Sequence, residues 1–213
     1  MNTKDWKEHA DVHYSAIYKT LDPNEISKRC NLSFDEQKKS FSLCLMGEDY
    51  QAAFPEFSIH SADGSFVSDE SIRVLLLRYL CEGKWSMPTG KKLSYRDIPW
   101  GEVYFSNFEG RCIKRVERTF GNDINSFNLI FEKNKNLKPN KIEDKECGWR
   151  FEFFNGFYMS IIIWQGDDEF PSKAQILFDD NFPSAFSAED IAVIGDISIN
   201  KLKLLREKLC ESK

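Results

Sequence analysis

The sequence predicts an α+β fold in which antiparallel sheet regions, a meander and hairpins, pack against a central helix and terminal helices. Three observations carry this. Apolar residues recur at two-residue steps in two separate stretches, 32–60 and 149–178. The strands follow one another in hairpin runs instead of alternating with helices, which separates this pattern from a parallel α/β sheet. Three- and four-residue apolar spacing is strongest at the two ends of the chain and in its middle.

In chain order, Trp6, Ala10, Tyr14, Ile17, Tyr18 and Leu21 form one stripe over residues 4–21, a first helix. Asp22, Pro23 and Glu25 read as N-cap, N1 and N3 of a short second one. Phe41, Leu43 and Leu45 then alternate with Ser42, Cys44 and Met46, and turns at 35–39, at Gly47-Glu48-Asp49 and at Asp63-Gly64 divide a small meander. A central helix follows. Ser68 caps it, Asp69 and Glu70 favour its positive end, Ile72, Leu75, Leu76, Tyr79 and Leu80 form its buried face, and Gly83 ends it. Residues 84–108 are irregular and aromatic, punctuated by Pro88, Gly90, Pro99 and Gly101. Helices are expected over 111–120 and 123–131, and the lysine-rich segment 134–146 is a candidate subdomain boundary within one domain over 1–213. Trp149, Phe151 and Phe153 alternate up to Asn155-Gly156, the preferred pair for a type I′ hairpin turn. Strands over 157–165 and 174–178 follow, then a last helix opened by Ser187 and Asp190, with a break expected near Gly195.

The 213 residues are 41% apolar and 30% charged, with 18 phenylalanines, so an aromatic core or pocket is expected. The net charge of −5 opposes phosphate backbones, and the cluster Lys133, Lys135, Lys138 and Lys141 lacks interleaved aromatics, so nucleic acid is not an expected partner. No apolar leader follows Met1, and the longest apolar runs, 74–77 and 160–164, fall far short of the ~20 residues of a membrane span. A cytoplasmic location without membrane contact is therefore expected. No two of the six cysteines lie closer than 14 positions, which argues for separate reduced thiols rather than the close pairs that wrap zinc or iron–sulfur groups.

Catalytic motifs fail on inspection. Gly90-Lys91 lacks the earlier glycine and the following Ser or Thr of a phosphate-binding loop. Gly166-Asp167-Asp168-Glu169-Phe170 has Asp167 where the similar signature of diguanylate cyclases needs a second glycine. There is no Gly-x-Ser-x-Gly elbow and no His-Glu-x-x-His. Asp5, His9 and His13 share a helix face that could bridge a metal, although such exposed histidines usually do nothing. Two candidate sites remain. Asp167, Asp168, Glu169 and Asp179 could hold a hard cation or do acid–base work if hairpin pairing brings them to one end of the sheet; the plainer reading is an acidic surface turn. Trp85, Thr89, Gly90, Arg96, Trp100, Tyr104 and Trp164 could line a pocket for a flat ligand; the plainer reading is a loop pinned by its own side chains.

The stretch from Pro88 through Thr89-Gly90-Lys91-Lys92-Leu93-Ser94-Tyr95-Arg96-Asp97-Ile98 to Pro99 resembles a motif of the uncharacterised DUF3786 family. So do Trp164-Gln165-Gly166-Asp167-Asp168-Glu169-Phe170-Pro171, the segment from Ala174 to Asp179, the helix over 75–80 and Glu189-Asp190-Ile191-Ala192-Val193. The resemblance covers nearly the whole chain. It implies an origin in anaerobic bacteria or archaea and a link to corrinoid or iron–sulfur redox chemistry, because some relatives carry a small iron–sulfur domain. This chain lacks an N-terminal cysteine cluster, so such chemistry would come from a partner or a bound ligand. It assigns no catalytic residue and no cofactor. Three functions are consistent with the residues: a ligand- or partner-binding accessory module, a metal-dependent enzyme built on the four carboxylates, and a partner-binding subunit of an anaerobic redox system.

Overall fold

The structure is a computed structural model that describes residues 3–145 and 147–211, with the side chains of residues 3–9 outside the description. The candidate metal face formed by Asp5 and His9 with His13 therefore lies largely outside the described residues. Helices α1 (Thr3–Tyr18) and α2 (Pro23–Cys30) lead into strands β1 (Phe34–Asp35), β2 (Ser40–Leu45), β3 (Glu48–Ala53) and β4 (Ile59–Ser61). Next come α3 (Glu70–Glu82), β5 (Lys92–Ser94), α4 (Gly101–Phe108), α5 (Lys114–Phe120) and α6 (Ile124–Lys133). The chain finishes with β6 (Asn140–Lys141), β7 (Cys147–Phe154), β8 (Phe157–Trp164), β9 (Lys173–Asp179) and α7 (Ala188–Glu211). The fold is α+β, as the hairpin runs predict.

The two sheet regions are one nine-stranded antiparallel sheet in the order β4-β3-β2-β7-β8-β9-β5, with β1 beside β2 and β6 beside β7. The seam between the halves is narrow. β2 and β7 pair only at Leu45 and Phe154. Met46 N donates to Phe153 O at 2.8 Å, and the Asn155 side chain accepts from Cys44 N at 2.8 Å. The turn that closes the β7–β8 hairpin thus also stitches the sheet together. Asn155 and Gly156 both have positive φ, 30° and 89°, as a type I′ turn demands. A Cβ on Gly156 would lie 3.0 Å from the Trp85 indole nitrogen. Gly156→Ala should therefore cost about 2 kcal/mol, part left-handed backbone and part crowding. Urea unfolding reads this directly, and an unchanged midpoint would show that the turn does not anchor the seam.

On the helical face of the sheet, Phe151, Phe153, Phe157, Met159, Ile161, Ile176 and Phe178 join the helices in one core cluster. Phe131 on α6 stacks on Trp149, and Tyr79 on α3 meets Phe154 edge-on with centroids 4.9 Å apart. Alternation sends Arg150, Glu152, Tyr158 and Asp179 to the opposite face. The described part of the lysine-rich segment, residues 134–145, is tied to the sheet: Leu137 is fully buried, Asn140 and Lys141 pair with β7, and Lys138 bonds the buried Glu152 at 2.6 Å. Two of the four clustered lysines are thereby engaged within the fold, since Lys141 also lies over the Trp149 ring.

Several local expectations change. The cap of α3 is Asp69, whose side chain accepts from Ser71 N and Ile72 N, because it is the residue placed to reach both free amides. Residues 84–108 are not wholly irregular: α4 runs through a π turn at Glu109–Ile113 into α5. The π turn places Arg111 and Arg115 together on Asp196 of α7. Helix α7 continues through Gly195, where a Cβ would lie 2.6 Å from Cys112 Sγ, so that glycine marks a close helix crossing instead of a break. Burial pushes the Cys30 thiol up to about 11 and those of Cys81 and Cys112 up to about 12, so these three are packing groups held protonated. Among the described residues no helix is long and apolar enough to cross a membrane.

Candidate ligand-binding cleft

The site begins with α3. Arg78 and Glu82 are one turn apart and share the helix face that looks towards the start of α7. Arg78 Nη1 donates to Asp190 Oδ1 at 2.7 Å, and both side chains are mostly buried. The second carboxylate oxygen of Asp190 accepts from Ser187 N and Ser187 Oγ, while Ser187 Oγ accepts from Asp190 N. This is the reciprocal cap that Ser187 and Asp190 predict, and it fixes the first turn of α7. Tyr14 of α1 lies under the Arg78 guanidinium and donates its hydroxyl to Glu82 at 3.2 Å. Burial pushes the Tyr14 hydroxyl up, with Arg78 opposing and Glu82 adding to the rise.

The second wall is carried by the sheet edge. β5 pairs with β9, Leu93 opposite Phe178, and delivers the chain to a 3-10 turn at Tyr95–Asp97. Ser94 and Asp97 cap that turn, and the two bonds from Ser94 hold the exposed Asp97 carboxyl below its usual range. Tyr95 is fully buried. Its ring stacks on Phe108 at 3.9 Å and its hydroxyl donates to Ala188 O at 2.8 Å, which locks this wall to α7. Ile98, Pro99 and Trp100 follow, and Gly101 N closes back on Ile98 O at 2.7 Å. The third wall is the Phe182–Ser184 turn, held by residues 84–86: Lys84 N donates to Ser184 O, Ser184 Oγ to Lys84 O, and Ser86 meets Ser184 hydroxyl to hydroxyl.

Between the three walls lies a cleft of about 330 Å³. Ile98, Pro99, Trp100, Pro183 and Phe186 make it apolar on one side, and Arg78, Glu82 and Asp190 charge the other. Trp100 stands on the rim, 76% exposed, with its backbone in the left-handed region at φ 67°.

Of the seven residues the sequence suggests for a pocket, Trp100 lines this cleft; the others are dispersed. Trp85 is partly buried under Gly156, with an indole nitrogen that has no acceptor among the described residues. Thr89 is bonded through both its amide and its hydroxyl to Asp180, whose exposed carboxyl this holds below its usual range. Gly90 is the exposed positive-φ residue beside it. Arg96 lies 3.6 Å over the Phe105 ring and pairs with Glu102, so its charge is taken up on α4. Tyr104 is exposed further along α4. Trp164 lies at the β8–β9 turn, where with Phe170 it lines an open groove of about 590 Å³.

The four carboxylates do not converge. Asp167 Oδ1 accepts from the amides of Glu169 and Phe170, and Asp168 and Glu169 are exposed on the same turn. Asp179 is at the far end of β9, about 20 Å from that turn at ~3.3 Å per residue. It is 1% exposed and pairs with Arg150 at 2.5 Å and with Lys92. An acidic residue placed between two cations serves the sheet, and the expected common cation site is not formed. Among the described residues no group of three or more His, Cys, Asp or Glu side chains could hold a metal ion.

Sequence reasoning missed Arg78 and Glu82. A signal was present: Arg78 and Glu82, at i and i+4, interrupt and close the apolar run 74–81 of α3. Their partners, Asp190 for Arg78 and Tyr14 for Glu82, lie 112 and 68 positions away and were not readable.

The family described as a domain of unknown function, DUF3786, matches residues 22–201. The chain belongs to this family. The DUF3786 region opens at the Asp22 cap of α2 and closes within α7, so it contains every cleft residue from Arg78 to Asp190 and leaves α1 outside. No curated protein and no solved structure matches the chain.

Proposed function

We propose that this DUF3786 domain is a small-molecule-binding module whose ligand occupies the cleft between α3, residues 98–100 and the start of α7. Trp100 carries the reading. A left-handed backbone costs a non-glycine residue roughly 1–2 kcal/mol, and an indole 76% exposed contributes little to the core. The side chain thus burdens the fold twice, in a concave site, and strain of this kind clusters at ligand clamps. A volume of about 330 Å³ is at the small end of ligand pockets, which run from ~300 to 1,000 Å³, so the ligand is metabolite-sized. Any corrinoid or iron–sulfur chemistry implied by the family resemblance would then belong to a partner that this module serves from the cytoplasm of an anaerobe.

Trp100→Gly tests this. Glycine removes the strain, so stability should hold or rise by about 1 kcal/mol. Native mass spectrometry of protein purified anaerobically from its own host should show a small-molecule adduct on the wild type that the variant lacks. An adduct kept equally by both proteins, or none on either, would remove the cleft as the binding site.

A further inference from the structure

We infer, on the reading that this cleft binds a small molecule, that the ligand carries a cationic amine, which Glu82 takes by charge and Trp100 by its ring face. The charges that line the cleft do not cancel. Arg78 and Asp190 neutralise each other at 2.7 Å, and both Asp190 oxygens are occupied, one by Arg78 and one by Ser187. The guanidinium is further held over the Tyr14 ring, 5.4 Å from its centroid. That leaves Glu82. Its carboxylate receives a neutral hydroxyl from Tyr14, and among the described residues no basic group lies within ion-pair distance of it. The cleft therefore presents one uncompensated negative charge.

The opposite wall fits the same ligand. Trp100 offers the aromatic face that attracts cations most strongly, and Pro99 and Pro183 flank it with apolar surface for an alkyl chain. Arg96, the nearby cation in sequence, is held on Phe105 and Glu102 and does not neutralise this wall. An anionic ligand would meet Glu82 unpaired, and a neutral one would leave the carboxylate unanswered. A protonated primary amine, or a quaternary ammonium with more contact to the ring and less to the carboxylate, satisfies both walls.

The experiment is an NMR titration of the full chain with four probes of equal chain length: n-butylammonium, butyltrimethylammonium, butyrate and n-butanol. Binding is read on the indole N–H signal of Trp100, assigned by its loss in Trp100→Phe. The two cations should shift that signal at concentrations at least tenfold below butyrate. Glu82→Gln should weaken n-butylammonium about tenfold, weaken butyltrimethylammonium less, and leave n-butanol unchanged; the position is exposed, so the fold is not at stake. If butyrate or n-butanol matches the cations, or if Glu82→Gln leaves n-butylammonium unaffected, the amine assignment is overturned and the cleft remains a binding site for another class. If no probe moves the Trp100 signal, the cleft reading falls together with the amine.

Discussion

Asp179→Asn is expected to lower stability by about 3 kcal/mol, a fall of roughly 6–12 °C in melting temperature for a chain of this size. Asp179 is 1% exposed and stands between Arg150, bonded through Nη2 at 2.5 Å and Nε at 3.3 Å, and Lys92. An amide has the right shape but no charge, so two cations would be left facing a neutral group. Breaking a buried pair by removing one partner usually costs about 3–5 kcal/mol. The lower end applies because the Arg150 and Lys92 side chains are 26% and 33% exposed and regain some hydration. Lys92→Gln is the matched control: Asp179 keeps Arg150, and the loss should stay under about 1 kcal/mol. Equal effects from the two variants would show that the carboxylate is not the centre of the network. Lys92 and Asp179 are also opposite each other in the β5–β9 register, so Asp179→Asn should loosen the strand that carries residues 95–100 and weaken binding in the cleft as well.

Asp179 also shows where sequence stops being informative. An acidic residue just past an apolar strand looks like a surface ligand, and its type alone suggests a cation. Its neighbours are supplied by β5 and β7, 87 and 29 positions earlier, through a register that alternation does not specify. The turns and hairpins were legible because their chemistry is local. Asn155-Gly156 forms its turn from its own backbone preferences, and Ser187 caps α7 through a residue three positions on. The joining of the sheets was not legible, since it depends on Leu45 meeting Phe154.

Helix α4 escaped notice for a different physical reason. Its N-cap is Trp100, which has no side chain able to bond a free amide, and Val103, Tyr104 and Phe105 are weak helix formers. Trp100, Val103 and Tyr104 are exposed, so the apolar residues at the start of this helix do not mark a buried face. What holds the helix is tertiary: Phe108 stacks on Tyr95, and Gly101 packs on the turn before it. Trp100 was picked out as an aromatic in an irregular stretch, and its place in the cleft follows from that packing, not from its own spacing.

Gly101→Ala should accordingly have the largest effect of any single methyl added near the site. A Cβ at this position would fall within the carbonyl oxygen of Tyr95 and lie 3.5 Å from the Ile98 Cβ. The obstacle is backbone, which has no rotamer to escape into. Tyr95 resists displacement because its ring is stacked on Phe108 and its hydroxyl is bonded to Ala188 O. The turn and α4 must therefore separate, at a cost of about 3 kcal/mol, the upper part of the range for overpacking. Gly110, in the π turn of the same helix run, has nothing within 4 Å of its Cβ position, and Gly110→Ala should change stability by less than about 1 kcal/mol in either direction. Comparing the two variants by thermal unfolding separates a close approach from a general intolerance of alanine along this helix. Trp100 sits immediately before Gly101, so the same displacement moves the indole off the rim. In Gly101→Ala protein that remains folded at low temperature, ligand affinity should fall by at least as much as in Trp100→Phe, whereas Gly110→Ala should bind as the wild type does. A folded Gly101→Ala with unaltered binding would mean that the approach of Gly101 to Tyr95 does not set the position of Trp100.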